Sequence, residues 1–173
     1  VAVCIALNSQ SLPMIDSDGA GGAIVAWEDG RSANSDIYAQ RVNGSGVAQW
    51  TAGGVGLCTL SSGQITPVIV TDGANGAIVA WRDGRIGAGT DIFAQRVNGS
   101  GVPQWTADGV AVCTAASFQL FPALVSDGAN GVIVAWQDFR SGTSYDIYAR
   151  RVDAAGVPQW GADGVVICNA AND

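Results

Sequence analysis

The sequence predicts an all-β chain of three four-stranded units, on three observations. Landmark residues recur at one period. Trp27, Trp81 and Trp136 are 54 and 55 residues apart, Trp50, Trp105 and Trp160 are 55 and 55 apart, and Cys4, Cys58, Cys113 and Cys168 are 54, 55 and 55 apart. Each period contains one short apolar run, AIVAW at 23–27 and 77–81 and VIVAW at 132–136, in which Ile and Val alternate with nothing polar. A strand with one wet face would alternate, so this run is expected to meet protein on both faces. Each run follows an Asp-Gly-Ala-x-Gly turn, at 18–22, 72–76 and 127–131, and is too short and too closely bracketed by glycine for a buried helix.

The third unit shows the expected order. A first strand at 121–126 (FPALVS) is entered through Pro122, whose missing N–H suits a strand start. The turn at 127–131 supplies Gly and Asn for positive φ. The strand at 132–136 follows, then a polar loop at 137–145 and a third strand at 146–152 (DIYARRV). The turn at 153–156 reads Asn-Gly-Ser-Gly in the first two units, a strong hairpin signal. Trp160 lies in the next connection, and 164–168 (GVVIC) forms a fourth strand. Gln10, Gln64 and Gln119 each stand three residues before a proline and set the units at 10–63, 64–118 and 119–173. Residues 1–9 match the tail of a unit and are expected as an extra outer strand belonging to a preceding one.

Four strands in about 50 residues match a propeller blade. A blade is apolar on both faces and stacks on neighbours around an axis. Propellers use about four to eight blades, so three leave two apolar flanks, to be covered by other copies of the chain or by further repeats. A ring of two chains and a head-to-tail polymer are both expected solutions. The alternative is a threefold closed fold, a β-trefoil or β-prism, which needs no partner.

The pattern Q-x-x-P, then DGAxGxIVAWxDxR, DIYAQRV, GVPQW and GVAVC resembles the tandem propeller repeats of secreted and surface proteins of bacteria, over the whole chain. It is also similar in layout to kelch repeats, with a glycine pair at Gly21 and Gly22, a Tyr-bearing strand and a later Trp. The resemblance implies a binding, adhesion or structural module at the cell surface or outside the cell.

Composition narrows the function. Fourteen Asp and one Glu against eight Arg give a net charge of −7, which disfavours nucleic acid and anionic membrane. The chain has no His, which removes the commonest general base and metal ligand and any Ser-His or Cys-His pair. No apolar stretch approaches a membrane span. No signal peptide is visible and the first residue is Val, as expected of a mature form or a piece of something longer. Glycoside hydrolysis wants two carboxylates converging in one pocket, whereas here the carboxylates repeat with the units and only Glu28 stands outside the pattern. No enzyme and no cofactor are expected.

Candidate binding residues repeat with the blades. The loop after the central strand carries Asp29 and Arg31, Asp83 and Arg85, and Asp138 and Arg140; the next strand opens with Asp36, Asp91 and Asp146. They could form a ring of polar pockets on one propeller face, suited to a sugar or a cation, or brace their own loops. Trp50, Trp105 and Trp160 could stack on sugars or wedge between blades. Asn43-Gly44-Ser45 and Asn98-Gly99-Ser100 match the glycosylation sequon, although Asn-Gly is also what the turn geometry wants. The cysteines lack the close spacing of a metal site and are expected as small buried side chains, and the acidic run at 16–19 lacks the later ligands of a calcium loop, so no metal is expected. The function expected is a non-catalytic extracellular module that self-associates, with copies of itself and possible glycans as partners and no membrane insertion; the alternative is a lectin-type propeller.

Overall fold

The computed structural model describes residues 2–87 and 89–169. All its regular elements are strands, grouped in three four-stranded antiparallel sheets. The first holds β1 (Gln10–Ser17), β2 (Ala23–Asp29), β3 (Asp36–Val42) and β4 (Val55–Cys58). The second holds β5 (Gln64–Thr71), β6 (Ala77–Asp83), β7 (Asp91–Val97) and β8 (Val110–Cys113). The third holds β9 (Gln119–Ser126), β10 (Val132–Asp138), β11 (Asp146–Val152) and β12 (Val165–Cys168). Each sheet is a meander with neighbours in chain order. The register repeats: Trp27 opposes Tyr38, Trp81 opposes Phe93 and Trp136 opposes Tyr148.

The first strand of each sheet lies innermost, β1 beside β5 and β5 beside β9. Leu12, Met14, Thr66, Pro67, Phe121 and Pro122 line a hollow of about 240 Å³ there. The prolines are not at the strand starts, as the sequence suggested. The strands begin three residues earlier, and the pairing of β1 and β5 slips between Ser11 and Met14 and between Ile65 and Val68. The residue before each proline has positive φ: Leu12 at 47°, Thr66 at 52° and Phe121 at 51°. A bulge on an edge strand has no ladder bond for proline to break, which is why the strand runs through it.

Two hydrophobic cores join the three sheets. One packs Ile24, Ala26 and Ile37 of the first sheet against Ala77, Val79 and Trp81 of the second. The other packs Ile78, Ala80 and Ile92 of the second against Val132, Val134 and Trp136 of the third. Among the described residues no third core joins the last sheet to the first, so the sheets are not closed. The central run is accordingly buried throughout only in the middle sheet; Val25 in β2 and Ile133 and Ala135 in β10 are half-buried.

Residues 2–9 form no strand, in contrast to the expected extra outer strand (Val1 lies outside the described residues). A strand's backbone groups need a neighbouring strand, and among the described residues none pairs with this segment. The segment is held by its end, where the Gly30 N–H donates to the Ser9 carbonyl at 2.8 Å and the Asn8 amide donates to the Gly30 carbonyl at 3.1 Å. Of the expected third unit, 170–173 also lie outside the described residues.

Candidate functional site

The Asp and Arg of each loop after the central strand meet at the end of that strand. In the second sheet, one Asp83 oxygen accepts the Trp81 indole N–H at 2.8 Å and the Arg85 Nη2 at 2.6 Å, and the other accepts the Arg85 backbone N–H at 2.9 Å. Asp29 with Trp27 and Arg31, and Asp138 with Trp136 and Arg140, repeat the arrangement. The guanidinium lies over the ring opposite, its Cζ 3.7 Å from the ring centre of Tyr38, 3.8 Å from that of Phe93 and 3.8 Å from that of Tyr148. It also donates to a carbonyl of the connection before the fourth strand, at Gly53, Asp108 and Asp163. The three carboxylates are fully buried. Burial pushes the Asp29 and Asp138 carboxyls up, but hydrogen bonds from the Arg, the Trp and the Arg backbone together outweigh it and hold them below the usual range. These pairs brace the loops from inside.

A cysteine from the preceding unit completes each network. Arg85 Nη2 reaches Cys58 Sγ at 3.0 Å, Arg140 Nη2 reaches Cys113 Sγ at 3.3 Å, and Arg31 Nη2 reaches Cys4 Sγ at 3.3 Å. Burial pushes the Cys58 and Cys113 thiols up to about 12, so they stay protonated, with the Asp carboxylates 4.0 and 3.8 Å away. The network therefore bridges one sheet to the next. Its spacing in sequence, a Cys 25 residues before an Asp, spans two units and is visible only once blades are set side by side.

The aspartates that open the third strands differ from one another. Asp36 accepts the Ser32 hydroxyl at 2.8 Å. The other Asp36 oxygen has no partner. At the position of Ser32 the second unit has Ile86, which offers no hydroxyl, and Asp91, 3% exposed, likewise has an oxygen with no partner. Burial, reinforced by the nearby Asp83 and Asp163 charges, pushes Asp91 up to about 6. It lines a cleft of about 440 Å³ between the loop after β6 and the connection that follows β8, with Thr114, Ser117 and Phe118. Asp146 is half-buried, and the Ser141 hydroxyl turns to the Ser144 carbonyl instead.

Trp50 and Trp105 lie between blades. The indole N–H of Trp50 donates to the Gly99 carbonyl at 3.0 Å, and that of Trp105 to the Ala154 carbonyl at 3.1 Å. Each ring rests on a glycine of the same turn, where an added Cβ would come within 2.7 Å of Trp50 at Gly101 and 2.6 Å of Trp105 at Gly156. Trp160 has no turn of a following unit against it among the described residues and is exposed.

Asn43 and Asn98 sit at their turns with the amide oxygen accepting two backbone N–H groups, from Ser45 and Val47 and from Ser100 and Val102. Asp153 does the same with Ala155 and Val157 in the third unit. One further set of pairs escaped the sequence reading. The Asp that opens each Asp-Gly-Ala-x-Gly turn pairs with the Arg near the end of the third strand: Asp18 with Arg41 at 2.8 Å, Asp72 with Arg96 at 2.9 Å and Asp127 with Arg151 at 2.7 Å. Both residues recur in every unit, which was the available signal; the antiparallel pairing of the second and third strands is what brings them together.

A comparison with protein-family models found no match, and a comparison with curated proteins found none either.

Proposed function

We propose that the chain is a non-catalytic structural or binding repeat module, acting outside the cell, that associates with copies of itself into a closed ring or a polymer. The observation that carries this reading is that three sheets share two cores, leaving one apolar face of the first sheet and one of the third with no neighbouring sheet among the described residues. Exposed apolar faces of blade size favour association. The extracellular setting rests on the resemblance to secreted and surface repeats. The repeating Asp–Arg pairs support a structural role, since each fixes a loop and bridges to the next sheet. Sedimentation of the purified chain tests the reading: mass should rise with concentration above the 17.5 kDa of one chain, and a species that stays at that mass throughout would contradict it.

A second reading, a carbohydrate-binding propeller, is favoured at one place. The cleft of the second unit is lined by Asp91, which has a buried oxygen without a partner, together with Thr114, Ser117 and the exposed Phe118. A hydroxyl-rich ligand offers the donor that Asp91 lacks and an apolar face for the Phe ring. Binding on a glycan array that is lost in Asp91→Asn supports this reading; an array with no binding above background contradicts it.

A further inference from the structure

The two open flanks carry the two halves of one interface, and that interface already occurs twice inside the chain. On the side facing its successor, each sheet presents an Ile of the third strand, a large aliphatic and the Cys of the fourth, and the Trp of the connection. In the first two sheets these are covered: Ile37 and Ile92 are both 0% exposed, Leu57 and Val112 are 2% and 0%, and Trp50 and Trp105 are 9% and 8%. In the third sheet the same positions are open: Ile147 is 38% exposed, Ile167 62% and Trp160 42%. Cys58 and Cys113 are buried and Cys168 is exposed.

The receiving side shows the converse. The second and third sheets meet their predecessor through Val79, Trp81 and Val97 and through Val134, Trp136 and Val152, all buried. Of their counterparts in the first sheet, Val25 and Val42 are only half-buried, while Trp27 is buried at 3% exposed. Val25 and Trp27 line a cavity of about 280 Å³ on that flank, with Val3 and Cys4 over it. The turn that would seat an indole is also formed. Gly46 has φ 75°, as Gly101 has 80° and Gly156 has 81°.

We infer that a second copy of this chain docks head to tail on the first, its first sheet against the third sheet of its neighbour, with Trp160 seated on the turn at 43–46 and Cys168 beside Arg31. This rests on the self-association proposed above and names the surfaces that perform it. Following Trp50 and Trp105, the Trp160 indole N–H donates to the Gly44 carbonyl of the second copy. The place beside Arg31 is held by Cys4 of the same chain, so docking displaces Cys4. The displacement breaks the Cys4 contacts with Arg31 and Asp29, which Cys168 of the neighbouring copy replaces; residues 2–9 form no strand, and Ile5 and Leu7 stand in solvent. The segment is a plug that closes the receiving face until a fourth strand arrives with the same cysteine. A head-to-tail contact uses two different surfaces, so it repeats until it closes a ring or extends as a filament.

The test uses the full 173-residue chain, as wild type, as Trp160→Glu and as Val157→Glu. Trp160 lies outside both cores, so its replacement leaves the fold intact, which circular dichroism checks. Val157 is 51% exposed and its counterpart Val102 inside the chain is 52% exposed, so that position belongs to no junction and reports on indiscriminate apolar sticking. Sedimentation should show wild type and Val157→Glu associating alike, with Trp160→Glu weakened by about thirtyfold or more, the loss typical of a central interface Trp. Iodoacetamide labelling read by mass spectrometry should show Cys168 becoming protected and Cys4 becoming reactive as wild-type concentration rises, with Cys58 and Cys113 unlabelled throughout. A wild type that remains a monomer overturns the self-association reading itself. Association that Trp160→Glu leaves unchanged, or that leaves Cys168 reactive, overturns the head-to-tail docking alone. Equal weakening by Val157→Glu does so as well.

Discussion

Asp83 is a charge that the fold has taken entirely out of water, and Arg85 is what makes that tolerable. Removing one partner of such a pair leaves the other buried and uncompensated, at a cost of about 3–5 kcal/mol. Arg85→Ala is therefore expected to lower the urea-unfolding free energy by that amount, and Arg85→Lys to recover only part, because an ammonium cannot lie over Phe93 while donating to Asp83, Cys58 and the Asp108 carbonyl. Asp91 behaves in the opposite sense. Its carboxyl titrates near 6 in the folded chain against about 3.9 unfolded, so between these values the folded state holds more protons. Its contribution to stability is greatest below about pH 4 and is lost as pH rises to about 6, a fall on the order of 2 kcal/mol. Asp91→Asn, neutral at every pH, should be more stable than wild type at pH 7 and should lack this fall, as measured by urea midpoints at pH 4.5 and pH 7. Asp29 and Asp138, whose carboxyls are held low, contribute stability above about pH 4 that is lost only as pH falls further, below that window.

The element that decides cohesion is the connection between third and fourth strands, because it carries the Trp that reaches the next sheet. Trp105→Ala empties a buried slot over Gly156 and leaves the Ala154 carbonyl unbonded, with an expected loss of about 3–5 kcal/mol. The same change at Trp160, which nothing covers, should fall within about 0.5 kcal/mol in the monomer; urea unfolding of both variants at low concentration checks the difference. Strands of this kind were legible in the sequence because apolar runs, Asp-Gly turns and a constant period report on local geometry. The range 146–152 of the third strand was read to the residue, and the Trp-bearing run ended two residues later than expected, at Asp138, where the Asp–Arg pair closes it. The bulge before each proline was not legible, since a positive φ at Thr66 is imposed by the neighbours of an inner edge strand and not by threonine. Nor was the Cys–Arg–Asp bridge, whose members lie in different units, or the lack of strand in residues 2–9, which pair with no strand among the described residues. The cleft at Asp91 was visible only as one of three equivalent aspartates; the Ile86 that removes its hydroxyl partner gives it its character.

At the scale of the whole molecule, the three sheets are chemically near-identical and structurally unequal. The middle sheet is covered on both faces and the outer two on one each. Local opening is governed by the apolar contacts and hydrogen bonds that must break, so the free energy of opening should follow this order and not the sequence, which barely changes between units. The net charge of −7 keeps dilute chains apart, and the open flanks are what it must oppose when they meet. The most direct measurement of this account is native-state hydrogen exchange at a concentration where the chain sediments at 17.5 kDa. The amides of β6, Ala77–Asp83, should exchange more slowly than those of the equivalent β2, Ala23–Asp29, and β10, Val132–Asp138. Equal protection of the three strands in the monomer would mean that the sheets close on themselves, and would contradict it.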